Sequence, residues 1–269
     1  MNKRVIFAAA AVALMTAVIA YSHDYWFEPE VFFAPAGGSV RVRLYVGEGL
    51  KSQEERPLQK ERTSRFQMFS AGKTQDLLAA GQEGQTPVTR LSFGPAGNYL
   101  VAMERKAQPI TLDAKKFTAY LAEEGLEAII AERERLGEAN ADGRERYSRY
   151  LKLALQVGDR RDDACQRVIG QRLEIAPQSN PYQLKVGDPL KVRILFEGQP
   201  LAGAKVFTNN KDHDDIKEQD AITDKDGMAS FVLDRPGQWL IRLVHMRRCR
   251  DCADADWESF WAAYSFGLK

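Results

Sequence analysis

Three histidines, three cysteines and one carboxylate in an apolar register hold most of the chemistry this sequence offers. His23, His213 and His245 are the whole imidazole supply, and Cys165, Cys249 and Cys252 the whole thiol supply. His23 stands in Ala20-Tyr21-Ser22-His23-Asp24-Tyr25-Trp26, after a nearly unbroken apolar run from Val5 to Ala20 that follows Lys3 and Arg4. A basic start, an apolar run and small residues at Ala20 and Ser22 form the pattern of a secretory signal with its cleavage site. Cutting after Ser22 makes His23 the first residue of the exported chain, where its α-amine and a ring nitrogen chelate one metal together. Cutting after Ala20 leaves Tyr-Ser-His, whose amine, two deprotonated amides and imidazole make a square-planar site for Cu(II) or Ni(II). Either cut puts a nitrogen-rich chelate at the exported N-terminus, and a histidine standing there by chance is the plain alternative.

His245 ends a strand-like run in which Trp239, Ile241 and Leu243 share its parity, so its ring is expected on a buried face. Glu258 shares parity with Phe260, Tyr264, Phe266 and Leu268 in the next run, and the loop 247–256 joins the two. Residues flanking one hairpin loop can stand opposite each other. A buried carboxylate needs a cation, a donor or a metal. The pair is therefore either a hydrogen bond closing the hairpin, or a metal ligand, His245, with Glu258 as a further ligand or its orienting partner.

Cys249-x-x-Cys252 admits a small-loop disulfide, a thiolate pair on a metal, or one partner for Cys165, and an oxidising compartment favours the disulfide. His245-x3-Cys249-x2-Cys252 supplies at most three soft ligands. His213, in Asn209-Asn-Lys-Asp-His-Asp-Asp215, reads as part of a solvated loop. No Gly-rich phosphate loop, nucleophile elbow or His-Glu-x-x-His motif is present, so no catalytic set is legible and the chain is not read as an enzyme.

The elements that must position these residues are mostly strands. Ser39–Val46, Arg65–Phe69 and Asn98–Met103 alternate apolar and polar residues, with turn signals at Pro35-Ala-Gly-Gly38 and Gly94-Pro-Ala-Gly97. Asp113 is an N-cap candidate for a helix over Ala114 to Leu136, and Tyr147, Tyr150, Leu151 and Leu155 suggest a second helix from Arg144 to Val157. From 168 onward the β texture returns, with about seven short strands in ~100 residues. The expected architecture is mainly β: two β-sandwich domains, immunoglobulin- or transthyretin-like, with a helical hairpin insertion. The expected boundaries are a signal peptide at 1–22, an N-terminal β domain at 23–107, the helical insertion at 108–167 and a C-terminal β-sandwich at 168–269.

Apolar residues make up 44% and charged residues 28%, the balance of a globular protein. Losing Lys3 and Arg4 with the signal would leave 36 of the 38 basic residues against 37 acidic ones, so no net field draws the chain to nucleic acid. Export with cleavage places it in the periplasm.

Seven segments occur in one order along the chain: His23-Asp-Tyr-Trp-Phe-Glu-Pro29, Phe117-Thr-Ala-Tyr-Leu-Ala-Glu-Glu-Gly-Leu126, Gly143-Arg-Glu-Arg-Tyr-Ser-Arg-Tyr150, Gly170-Gln-Arg-Leu-Glu-Ile-Ala-Pro177, Gly198-Gln-Pro-Leu-Ala-Gly-Ala204, Trp239 to His245, and Asp256-Trp-Glu-Ser-Phe-Trp261. Together they resemble the NikM-like family, a domain of unknown function linked with the extracytoplasmic component of nickel and cobalt uptake systems. The resemblance implies an exported β-rich protein whose N-terminal residues help bind a transition metal. It places the mature-start histidine at His23, the strand-end histidine at His245 and the Trp-Glu-Ser carboxylate at Glu258. Cys249 and Cys252 are not part of the family pattern. The expectation is a periplasmic metal-binding protein that presents Ni(II), Co(II) or Cu(II) to a membrane uptake component, from a site shared by His23, His245 and Glu258. A metal-free envelope module built on the sandwich surfaces is the second reading. A copper redox enzyme is the third, with no substrate groove legible in the sequence.

Overall fold

The computed structural model describes residues 23–269; the expected signal peptide at 1–22, with both candidate cleavage points, lies outside the described residues. The first strands are β1 (Asp24–Pro29), β2 (Phe33–Ala34), β3 (Ser39–Glu48), β4 (Lys51–Glu55), β5 (Thr63–Ser70) and β6 (Lys73–Asp76). The short helix α1 (Leu77–Ala80) precedes β7 (Thr89–Ser92). A long strand, β8 (Gly97–Leu112), leads into α2 (Ala114–Glu123) and α3 (Glu127–Arg135), and β9 (Gly143–Val157) returns from them. The rest is β10 (Leu173–Pro177), β11 (Pro189–Phe196), β12 (Gln199–Pro200), β13 (Lys205–Asp212), β14 (Asp215–Ile222), β15 (Met228–Val232), β16 (Gly237–Arg248) and β17 (Trp257–Leu268).

One nine-stranded sheet, ordered β14-β13-β16-β17-β9-β8-β5-β6 with β2 added beside β9, runs through the middle of the molecule. A sheet of β1, β3, β4 and β7 covers part of one face, and a sheet of β10, β11, β12 and β15 covers part of the other. The cores follow from strand parity. Leu151, Leu153 and Leu155 of β9 pack with Trp26, Phe27, Val42 and Leu44 on the first face. On the opposite face Ala154, Ile241 and Phe260 pack with Ile175, Val192, Ile194 and Phe231. The helices lie on the first face, where Phe117, Tyr120 and Leu121 meet Val244, Met246, Trp257 and Trp261. The protein is mainly β with sandwich packing, as its alternating segments imply, and its two sandwiches share the middle sheet.

The helical insertion differs from expectation. Asp113 caps α2, its carboxylate accepting from the Lys116 N–H at 2.9 Å. The run expected as one helix from Ala114 to Leu136 breaks at Gly125, whose φ of +69° closes a Schellman-type turn with Leu126 N–H donating to Leu121 O. The helical hairpin is thus α2 and α3. Residues 144–157, expected as a second helix, form the strand β9 instead. Tyr147, Tyr150, Leu151 and Leu155 fit a helical stripe, but the segment is apolar on both faces because sheets pack on both sides of it. A strand buried in that way loses the period-two alternation that would distinguish it.

Lys152 and Glu174 lie within that packing, each side chain 1% exposed. The Lys152 ammonium donates to Glu174 Oε1 at 2.6 Å and to the carbonyls of Arg167 and Ile175 at 3.1 Å. Glu174 in turn accepts from the backbone N–H groups of Ile169, Gly170 and Gln171. Every strong donor and acceptor of the pair is used, which is what a buried ion pair requires. Lys152→Met should leave the carboxylate buried without its cation and lower unfolding free energy by about 3–5 kcal/mol in urea titration. Adding Glu174→Gln to that variant should recover a large part of the loss.

Candidate metal centre

The site begins at His23, immediately before β1, which is 7% exposed. Neither ring nitrogen has a hydrogen-bond partner among the described residues. Nδ1 stands 3.7 Å from Glu48 Oε1, at the end of β3, a separation too long for a hydrogen bond and suited to a shared third atom. The His23 carbonyl accepts from Arg149 Nη1 at 2.9 Å. Arg149 is itself buried among aromatic faces, its guanidinium carbon 4.1 Å from the Tyr25 ring centroid and 4.7 Å from that of Trp261. This arginine fixes the backbone at His23 from β9.

Glu48 is positioned by a two-residue hairpin turn between β3 and β4. Both turn residues, Gly49 and Leu50, have positive φ (50° and 70°), the backbone that a tight hairpin of this hand requires. Gly49 N–H donates to Asp24 Oδ2 at 3.0 Å, and a Cβ on Gly49 would come within 2.7 Å of the Asn209 amide nitrogen. Leu50 is a bulky residue in a conformation that favours glycine, held there by complete burial of its side chain.

Beside this turn opens an acidic pocket of about 440 Å3, lined by Asp24, Glu48, Glu123, Glu124 and Glu218 against two cations, Lys51 and Arg242. Arg242 of β16 occupies its centre. Nε meets Asp24 at 3.2 Å, Nη1 meets Glu124 at 3.0 Å and Nη2 meets Glu218 at 3.2 Å. Burial pushes the Glu124 carboxyl up to about 8, with the Asp24 charge adding to the effect and Arg242 opposing it. Burial also raises Asp24, again against Arg242. The three carboxyl groups surround one guanidinium, and Glu48 and Glu123 add further carboxylates to the pocket wall on the side of the β3–β4 turn.

The other expected ligands are elsewhere. His245 faces the sandwich with β10 and β11, its ring centroid 4.4 Å from that of Phe196, and is paired in register with Phe260. Arg242, three residues earlier on the same strand, points to the opposite face, where it meets Asp24. The central sheet therefore stands between His23 and His245, and the two do not form one site. Glu258 shares the face of His245, as parity requires, but lies opposite Arg247. It accepts from Arg247 Nε at 2.6 Å and has Arg172 at 3.7 Å, so arginines supply the cations it needs. The expected His245–Glu258 hydrogen bond is not made. Cys249 and Cys252 form a disulfide, and Cys165 is free and buried. His213 sits at positive φ in the exposed β13–β14 turn, its Nδ1 2.9 Å from Asp212. Among the described residues no group of three or more His, Cys, Asp or Glu side chains is gathered to hold a metal. The donors present at the N-terminal edge are the His23 ring and Glu48, to which cleavage after Ser22 would add the α-amine.

Glu48, Arg242, Glu124 and Arg149 were not singled out in the sequence. A signal for two of them existed: Arg242 lies within Trp239-Leu-Ile-Arg-Leu-Val and Arg149 follows Tyr147-Ser148, each a charge inside a strand buried on both faces. Such a charge demands a buried partner.

The chain belongs to the family described as Domain of unknown function (DUF4198), whose model matches residues 20–247. No curated protein matches it in sequence. Among solved structures, the D0-D1 domain of intimin aligns over 90% of this chain and 97% of its own, at 12% identity and a TM-score of 0.21. A Salmonella alpha-2-macroglobulin variant aligns over 93% of this chain and 15% of its own, at 11% identity and a TM-score of 0.23. Likenesses at these scores carry no argument for this chain.

A pH measurement separates His245 from metal chemistry. Burial, with Arg247 beside it, lowers the ring to about 4 from an ordinary 6.5. Between those values the unfolded chain takes a proton that the folded ring refuses, so stability is full above about pH 6.5 and falls as pH drops towards 4. His245→Phe should remove that slope, worth on the order of 2–3 kcal/mol between pH 7 and pH 4 in chemical denaturation, and leave metal affinity unchanged.

Proposed function

We propose that this is an exported, periplasmic protein that binds Ni(II), Co(II) or Cu(II) at its mature N-terminus and presents the ion to a membrane uptake component. The observation that carries the reading is the His23 ring: buried, without a hydrogen-bond partner at either nitrogen among the described residues, and set beside the Glu48 carboxylate. An imidazole taken out of water without a hydrogen bond is costly, and a metal bond would offset that cost. The nitrogen-rich donor set of amine and imidazole suits borderline ions such as nickel, cobalt and copper. The resemblance to the NikM-like family and the signal-like segment before His23 support the same reading. Here the metal is cargo. His23 and Glu48 would hold it at the edge of the first-face sheet, Arg149 would fix the His23 backbone, and the acidic pocket would raise the local concentration of cations.

Calorimetry on protein whose intact mass proves a His23 N-terminus tests the proposal. His23→Ala should abolish tight Ni(II) and Cu(II) binding. One extra residue before His23 should weaken it by at least about tenfold, roughly 1.4 kcal/mol, because the amine can no longer close a ring with its own imidazole. Glu48→Gln should weaken it less than His23→Ala. Equal affinity across all three variants and the native protein would overturn the reading.

A further inference from the structure

The far end of β16 carries a second constellation, independent of the metal site. Cys249 and Cys252 both line a cleft of about 480 Å3, the size of a pocket for a small molecule. Five arginines share that lining, among them Arg247, Arg248 and Arg250, against two carboxylates, Asp251 and Glu258. The outer partners of these arginines, such as Glu138 for Arg248 at 2.6 Å and Asp254 at 2.7 Å from Arg146, are not part of the cleft wall. Glu197 likewise pairs with Arg172 and Arg247 from outside the wall. The cleft is therefore an arginine-lined basin whose one cation without an ion pair among the described residues is Arg250, with a half-buried disulfide in its wall.

The fold does not depend on this disulfide to close the loop. Cys249 N–H donates to Asp256 O and Asp256 N–H to Arg144 O, each at 2.8 Å. Arg144 also grips the Asp256 side chain through two hydrogen bonds, at 2.9 and 2.7 Å. A crosslink spanning only Cys249 to Cys252 removes little entropy from the unfolded chain compared with one that closes a long loop. The same surroundings suit exchange chemistry. Neighbouring guanidinium groups stabilise a thiolate, which makes a cysteine a better leaving group and raises the tendency of its disulfide to be reduced.

We propose that Cys249–Cys252 is a redox-active pair and that the arginine basin admits a small anionic thiol to it. The thiolate of one such molecule attacks a cysteine sulfur. The Cys249–Cys252 bond breaks, a mixed disulfide forms, and the other cysteine leaves as a thiolate among the arginines. A second thiolate then attacks the sulfur of the bound small molecule. Its disulfide departs, and the second cysteine is released as a thiolate. Two electrons pass from the two small thiols to the cysteine pair, and the two thiol protons go to the cysteine thiolates or to solvent. Cys165 takes no part, since it is buried and its thiol is held protonated by burial.

Two thiols of similar size and opposite charge test this on the full exported protein: mercaptoethanesulfonate and cysteamine, at matched thiolate concentration, with alkylation and mass spectrometry as the readout. At low ionic strength the anionic thiol should reduce the pair at least about tenfold faster, and 1 M salt should largely abolish the difference. Arg250→Gln, on an exposed side chain, should shrink the preference without changing the melting temperature. Equal rates for the two thiols in the native protein would overturn recognition by the basin. A disulfide that yields to either thiol only above the unfolding transition would overturn the redox role and leave a structural crosslink.

Discussion

The parallel pairing of β17 with β9 is the constraint on which the rest of the structure depends. Residues Trp257 to Ser265 run beside Glu145 to Leu153 in the same direction. Parallel neighbours need a crossover connection, and here the crossover is the whole C-terminal sandwich, about a hundred residues between the end of β9 and the start of β17. Because β9 also pairs antiparallel with β8, the strands of both halves become one sheet. That continuity brings Arg242, from the C-terminal half, under Asp24 at the start of the described chain. It also brings Glu124, from the helical pair, to the same guanidinium. Without the β9–β17 seam the acidic pocket would have no floor.

A sheet covered on both faces leaves little room for charge, so the charged side chains inside it are held by specific partners. Lys152 meets Glu174 and two carbonyls, and Arg242 meets three carboxylates. Arg149 meets aromatic faces and the His23 carbonyl. Removing one member of such a set strands the other in a low-dielectric interior, which is why these positions carry more energy than surface pairs of equal count. Glu145 shows the same pressure from the acid side. It has no cation in contact among the described residues, shares a hydrogen bond with Ser259 and another with Tyr120 at 3.3 Å, and burial raises its carboxyl to about 7. His23 differs from these charged groups: its buried ring has no hydrogen-bond partner at either nitrogen among the described residues.

Much of the β framework was legible because half-buried strands keep their alternation. Ser39–Val46 became β3 over Ser39–Glu48, and the run ending at His245 and the next run, from Glu258 to Leu268, became parts of β16 and β17. The parity of His245 and Glu258 was also legible, and both lie on one face. Their partners were not. Parity fixes a side, but register decides what stands opposite, and register placed Phe260 against His245 and Arg247 against Glu258. The segment 144–157 was misread for a related reason: a strand between two packed layers has no polar face to betray its period.

By itself the sequence determined the export-like start, the mainly β class, the capped helix at Asp113 and the placement of a histidine where the described chain begins. These follow from local chemistry: an apolar run, a period, a cap and a position. The tertiary structure alone decided which charged groups meet. Whether two residues distant in sequence share a site depends on which face of which sheet each occupies, and a single sheet interposed between them separates them completely. His23 and His245 are divided by the central sheet in that way, whereas His23 and Glu48, 25 residues apart in the sequence, are joined by an antiparallel pair and a two-residue turn.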